Sequence, residues 1–183
     1  SIIKKIMYRF AAASENEIIV YGSAKPGYSN EEVLQWVEFI QNQDIKRVCC
    51  LLAPTQLNNY ANLIDLYKLE FGTNQICWTP IEDYTLIDSQ TLTQKILPFL
   101  KQANDNSEKV VVHCFAGIGR TGQVLAAWLV YARGFSNQEA ISTVMRNGRN
   151  PCEFIVTAAK KGQNPSEAMS QLNLLLDDCR NTR

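Results

Sequence analysis

One stretch fixes the architecture of this 183-residue chain: Val110-Val111-Val112-His113-Cys114-Phe115-Ala116-Gly117-Ile118-Gly119-Arg120-Thr121-Gly122. Residues 109–112 are β-branched apart from Lys109, which predicts a buried strand. Residues 114–120 form a loop with two glycines. From Thr121 onward, Val124, Leu125, Trp128 and Leu129 recur at helical spacing, which predicts a helix. A strand that leads through a glycine loop into a helix N-terminus binds anions. The unpaired N–H groups of the first turn face the ligand, and the helix dipole favours negative charge.

The residues in this loop narrow its chemistry. Cys114 opens it and Arg120 closes it. A thiol at a helix N-terminus beside a guanidinium is expected to ionise near neutral pH. The arginine fork matches two oxygens of a phosphate. Gly117 and Gly119 let backbone N–H groups turn inward as an anion nest. A nucleophilic sulfur inside a phosphate cradle implies attack on phosphorus. The alternative is a structural cysteine in an ordinary strand-to-helix turn.

The run from His113 to Gly122 resembles the signature loop of the cysteine-dependent protein tyrosine phosphatase superfamily: His-Cys, five residues, Arg, then Ser or Thr. The rest of the chain is most similar to the compact dual-specificity class, over roughly residues 18–151. It is shorter than the larger tyrosine-specific catalytic domains. It has Ile81-Glu82-Asp83 where those carry Trp-Pro-Asp, and no recognisable tyrosine-recognition loop near its N-terminus.

The resemblance implies roles residue by residue. Cys114 is the nucleophile. The loop residues Phe115, Ala116, Gly117, Ile118, Gly119 and Arg120 bind the phosphoryl group. The Thr121 hydroxyl hydrogen-bonds the sulfur. Compact members carry an acidic Asp on a mobile loop about thirty residues ahead of the cysteine. Asp83 lies 31 positions before Cys114, after a predicted strand and Pro80, so the resemblance makes it the general acid. Glu82 is the alternative if the register is off by one. His113, the only histidine, is expected to point away from the loop, because neighbouring strand residues alternate faces, and to orient it by hydrogen bonding.

Arg149 and Asn150 stand where relatives often place a turn near the phosphate. A phosphate-facing role and a simple helix-ending turn both remain open. Cys49, Cys50 and Cys152 are candidates for a protective disulfide with Cys114, against a reading as core residues, which buried cysteine often is. No metal or organic cofactor is required by this chemistry.

The predicted elements alternate. Strands are expected at 6–10 and 17–21, with an edge pairing between them open, then at 45–52, 75–79 and 109–112. Helices are expected at 29–41, 58–71, 88–103, 120–134, 136–146, 153–160 and 166–179. Ser29 with Glu32 and Ser136 with Glu139 form capping boxes. Pro98 predicts a kink or early break, and Asn150 with Pro151 reads as a helix start. Trp36 lies on an apolar stripe with Val33, Val37 and Ile40, and is read as core rather than as a ligand platform. The pattern is an α/β single domain over 1–183, with a mostly parallel sheet and helices on both faces. The minimal phosphatase core is about 18–151. The C-terminal helices, 151–180, either cover the sheet or form a partner surface. Ligands of such sheets bind beyond the carboxyl ends of the strands, so the Cys114 and Asp83 loops are expected to share one crevice.

Composition sets the partners. Eighteen Lys+Arg balance eighteen Asp+Glu, so no global field draws the chain to nucleic acid. No apolar run reaches membrane-spanning length, and the N-terminus has no cleavable signal pattern. Six cysteines without CxxC or zinc spacing fit reduced thiols in the cytoplasm. The expected function is hydrolysis of phosphotyrosine, and of phosphoserine and phosphothreonine, in a protein or peptide. Alternatives are a recognition module that binds without turnover, or a phosphatase acting on an RNA 5′-triphosphate or a phospholipid. A loop carrying Phe115 and Ile118 rather than lysines speaks against a polyanionic lipid. A sulfur-transfer or arsenate-reducing enzyme would fit Arg120-Thr121-Gly122 and a distant acid loop less well. The chain sets no oligomeric state.

Overall fold

The computed structural model describes residues 8–183. Five strands form one sheet in the order β1-β2-β5-β3-β4: β1 Ala11–Ala12, β2 Val20–Ser23, β3 Ile45–Cys50, β4 Ile76–Trp78 and β5 Lys109–His113. β2, β5, β3 and β4 run parallel, and only β1 is antiparallel, at one edge. The edge pair expected from 6–10 and 17–21 is present but shifted. Residues 6 and 7 lie outside the described residues, Tyr8 and Arg9 form a turn, and the pairing joins Ala11–Ala12 to β2.

Alternation along the strands divides the core into two layers. Val110 and Val112 of β5 and Cys49 of β3 face one layer. Val111, Val48 and Cys50 face the other. The second layer is closed by α1 (Asn30–Asn42), whose N-terminus is the expected Ser29–Glu32 capping box, and by α2 (Leu63–Phe71). Trp36 is fully buried there, a core residue as expected.

Helix 58–71 was expected in one piece. Instead a single turn at Pro54–Leu57 is followed by irregular chain, and α2 starts at Leu63. Tyr60 explains the break. Its buried hydroxyl donates to the Pro26 carbonyl at 2.6 Å, which holds the chain off a helical path.

The first layer is closed by α3 (residues 89–105), α4 (Gly119–Arg133), α5 (Asn137–Arg146) and α7 (Pro165–Thr182), with α6 (Phe154–Lys160) beside them. Asp88 caps α3 by accepting from Thr91 N–H. Pro98 cannot donate, and its ring crowds the carbonyl four residues back. The helix answers with a wide π turn at Leu92–Ile96 rather than a break. Gly134 ends α4 in the left-handed region, and Ser136 with Glu139 caps α5. Asn150 accepts from Cys152 N–H in a turn, so α6 begins at Phe154, later than Asn150-Pro151 suggested. α7 sends Ala168, Leu172, Leu175, Leu176 and Cys179 into the first layer, so it covers the core. Among the described residues no helix is long and apolar enough to cross a membrane.

Glu17 locks β2 to α4. Its buried carboxylate accepts from the N–H groups of Ile19 and Val20, from the Trp128 indole, and from the Arg133 guanidinium at 2.9 and 3.0 Å. Those hydrogen bonds and the arginine's charge hold its pKa down against the cost of burial. Glu17→Ala strands a backbone pair, an indole and a partly shielded cation. It is expected to lower the unfolding free energy by about 3 kcal/mol, read by urea denaturation, with Glu17→Gln losing less.

Candidate active site

Cys114 leaves the carboxyl end of β5, and the loop through Ile118 leads into α4. Its carbonyls are tied outward. The Cys114 oxygen meets His113 Nδ1 at 2.9 Å. The Phe115 oxygen accepts from Lys25 N–H at 3.0 Å. The Gly117 oxygen accepts from Arg149 at 2.6 Å. The Ile118 oxygen accepts from the N–H groups of Gly122 and Asn150. With the carbonyls turned out, the N–H groups turn in. Among the described residues, those of Phe115, Ala116, Gly117 and Ile118 donate to no protein acceptor. Gly117 has φ +75°, and a Cβ there would lie 2.5 Å from the Ser23 carbonyl oxygen, so only glycine fits.

The loop brings its reactive groups together. Thr121 Oγ1 donates to Cys114 Sγ at 3.1 Å. Arg120 is 2 % exposed; its Nη1 donates to the Ile81 carbonyl at 2.8 Å and to Gln56 Oε1 at 2.9 Å. Its Nε and Nη2 are buried and make no hydrogen bond to the protein. Two free donors of a fixed guanidinium beside inward N–H groups make an anion cradle.

Asp83 faces that cradle. Its Oδ1 is 3.3 Å from Arg120 Nη2, a charge contact without hydrogen-bond alignment. Its Oδ2 accepts from Gln56 Nε2 at 3.4 Å. Glu82 is exposed, and its carbonyl accepts from Thr85. Of the two carboxylates weighed, Asp83 is the one that reaches the arginine. Glu153, ahead of α6, is a further carboxylate beside the cradle. Burial, and then the charge of Asp83, push its pKa up. A Cβ at Gly119 would lie 2.7 Å from its Oε1.

His113 turns away from the loop, as strand alternation requires. It packs against Trp36 and Tyr67 in the second layer. The Cys114 carbonyl can only accept, so His113 Nδ1 carries the proton and Nε2 accepts from the Tyr67 hydroxyl at 2.9 Å. Arg149 makes contacts that neither of its two readings named. Its buried guanidinium binds the carbonyls of Gly117 and Arg9, so it fastens the loop. Cys49 and Cys50 are fully buried on opposite faces of β3, and burial pushes the Cys50 thiol up to about 12.

Sequence reasoning missed Gln56, Glu153 and the Tyr67 hydroxyl as members of the site. Tyr67 carries a helical core spacing that hides its polar end. Gln56 carried no signal, because its partners lie 27 and 64 residues away.

A cysteine, an arginine with free donors, and a carboxylate converge at the carboxyl ends of parallel strands. That is the constellation of a cysteine-dependent phosphatase. The chain matches the family described as "Dual specificity phosphatase, catalytic domain" over residues 29–177, and it belongs to that family. It is 34% identical over 86 residues to "Tyrosine-protein phosphatase yvh1" of Schizosaccharomyces pombe, covering 46% of this chain and 26% of the relative. It is 31% identical over 67 residues to human "Dual specificity protein phosphatase 5", covering 37% of this chain and 17% of that one. The chain therefore aligns with only a fraction of the length of these curated relatives. Among solved structures, Tk-PTP in its active form is 25% identical with a TM-score of 0.65, over 86% of this chain and 92% of that one. PTPMT1 in complex with PI(5)P shares the fold at 14% identity and a TM-score of 0.69, over 94% and 97%.

Burial drives the His113 pKa down to about 4, against an ordinary value of 6.5. The folded imidazole stays neutral while the unfolded one protonates. Its contribution is therefore complete above about pH 6.5 and is lost as pH falls toward 4. Unfolding free energy measured from pH 7 to pH 5 should decline, by about 2 kcal/mol. His113→Gln should be less stable at pH 7 but lose most of that slope.

Proposed function

We propose that this chain is a phosphoprotein phosphatase that hydrolyses phosphotyrosine, and phosphoserine and phosphothreonine, through a phosphocysteine intermediate. The observation that carries this is the Thr121–Cys114 hydrogen bond set beside two buried, unspent donors of Arg120. Nucleophile and oxyanion donors share one cradle, with a carboxylate at its rim.

The Cys114 thiolate attacks phosphorus in line with the ester oxygen. The S–P bond forms as the O–P bond breaks, and Asp83 gives its proton to the leaving oxygen. Water then attacks phosphorus, Asp83 takes its proton, and the S–P bond breaks to release inorganic phosphate and the thiolate. The inward N–H groups and the Arg120 fork hold the equatorial oxygens in both steps. The Thr121 hydroxyl stabilises the departing sulfur. Gln56 is a positioning residue, since it bonds both Arg120 and Asp83. A phosphorylated protein or peptide is the partner, and the cytoplasm is the compartment this chemistry and the free thiols suit.

The test is metal-free hydrolysis of p-nitrophenyl phosphate, of aryl phosphates with poorer leaving groups, and of phosphotyrosyl and phosphoseryl peptides. Cys114→Ser should fall at least about a thousandfold. Asp83→Asn should slow poor leaving groups about a hundredfold or more and p-nitrophenyl phosphate less. Gln56→Ala should show the same leaving-group bias, about tenfold. Peptide binding without turnover would make the chain a recognition module. Turnover confined to RNA 5′-triphosphate or phospholipid would reassign the substrate.

A further inference from the structure

Lys25 sits on the wall of the phosphate cradle with its charge unspent. It is half-buried, yet no carboxylate pairs with it among the described residues. Its Nζ lies 4.0 Å from the Tyr28 ring centroid and 4.7 Å from that of Phe115, the first residue after Cys114. Among the described residues only the Pro26 carbonyl accepts from it, at 3.3 Å. An ammonium carries three donors, so two remain for a ligand.

The segment that presents it is fastened along its length. Lys25 N–H donates to the Phe115 carbonyl and Ala24 N–H to that of Tyr8. The Trp36 indole donates to the Ala24 carbonyl at 3.1 Å, and the Tyr60 hydroxyl to that of Pro26. Tyr28 rests edge-on against Tyr60. A cation held by aromatic faces and a rigid backbone has lost its freedom before any ligand arrives, so little further ordering opposes binding.

We propose that Lys25, braced across Tyr28 and Phe115, is a second anion subsite that selects phosphotyrosine flanked by an acidic residue. This rests on the phosphatase reading above. The Arg120 cradle takes the phosphoryl group, and Lys25 takes a carboxylate one residue away. Tyr28 and Phe115 on this wall, and Tyr84 beside Asp83, are exposed aromatic residues that suit the tyrosyl ring. The loop itself carries no cation beyond Arg120. One added ammonium matches one added carboxylate better than a head group with several phosphates.

The experiment uses the whole chain and phosphotyrosyl peptides identical except for the residues flanking the phosphotyrosine: Glu on either side, or Gln. In the wild type, a Glu peptide should exceed the Gln peptide about fivefold in kcat/KM, through KM, and the ratio should shrink in high salt. Lys25→Met keeps an apolar stem on the rings and should bring the ratio to about one; Lys25→Arg should restore it. Peptide affinities of Cys114→Ser, which read the subsite without chemistry, should show the same Glu preference. Equal rates for Glu and Gln peptides, or a preference that survives in Lys25→Met, would overturn the subsite. So would a Lys25-dependent preference for phosphoinositide vesicles over both peptides. A Glu preference in binding with no turnover of any phosphoester would uphold the subsite and sink the phosphatase reading instead.

Discussion

The site depends on keeping the carbonyls of one loop turned outward. An anion cradle needs its N–H groups pointing in, and a peptide unit cannot turn one end without the other. The anchored carbonyls are held from several parts of the chain. His113 holds Cys114 from the strand, Lys25 holds Phe115 from the loop after β2, and Arg149 holds Gly117 from beyond α5. Asn150 shares Ile118 with the first turn of α4. The fold brings two remote segments, the one at Lys25 and the one at Arg149 and Asn150, to one loop that its own flanking residues also hold, and the loop's geometry is the sum of those anchors. Gly117 is the one place where the anchoring demands a backbone that side chains resist.

The same logic explains why His113 is neutral and buried. A charged imidazole would be costly in the aromatic layer formed by Trp36 and Tyr67. A neutral ring with its proton on Nδ1 can serve the Cys114 carbonyl, and Tyr67 supplies the donor that fixes that tautomer. It meets the cradle only from outside, through the Cys114 carbonyl.

What could be read from the sequence was local. The strand–loop–helix unit, both Ser–Glu capping boxes and the Gly134 stop are contiguous, so neighbouring residues specify them. Alternation along 109–113 placed His113 and Cys114 correctly, because a strand's period is built into the backbone. Errors came where a distant contact overrides local pattern. Tyr60 breaks a helix by reaching Pro26, and Pro98 is absorbed by a π turn inside a helix packed on the core. Gln56 and Arg149 owe their contacts to partners far along the chain; nothing in its neighbours announces Gln56, and the turn that drew notice to Arg149 does not give its hold on Gly117. The short strands at the β1 edge carry too few residues for alternation to fix their ends.

Rigidity is distributed unevenly around the site, and the chemistry suits that distribution. The cradle is anchored at each of the carbonyls named above. The segment carrying Asp83 is fastened at its start by Thr79 and Ile81, whose N–H groups pair with Cys50 and Leu51. At its far side the Gln123 amide bonds both Thr85 and Ile87. Between those ties the Asp83 carboxylate accepts from the N–H of its neighbour Tyr84 at 3.0 Å, reaches Arg120 and Gln56 only at 3.3 and 3.4 Å, and Tyr84 adopts φ 58°. Stabilising a phosphoryl group rewards fixed dipoles, because reorganising them would cost energy as charge develops. Proton transfer sets a different demand, since the acid must meet a leaving oxygen in one step and a water in the next. In the mechanism proposed above, a pinned loop whose carboxylate is tied closely to its own neighbour Tyr84 and only at long range to the cradle serves both demands.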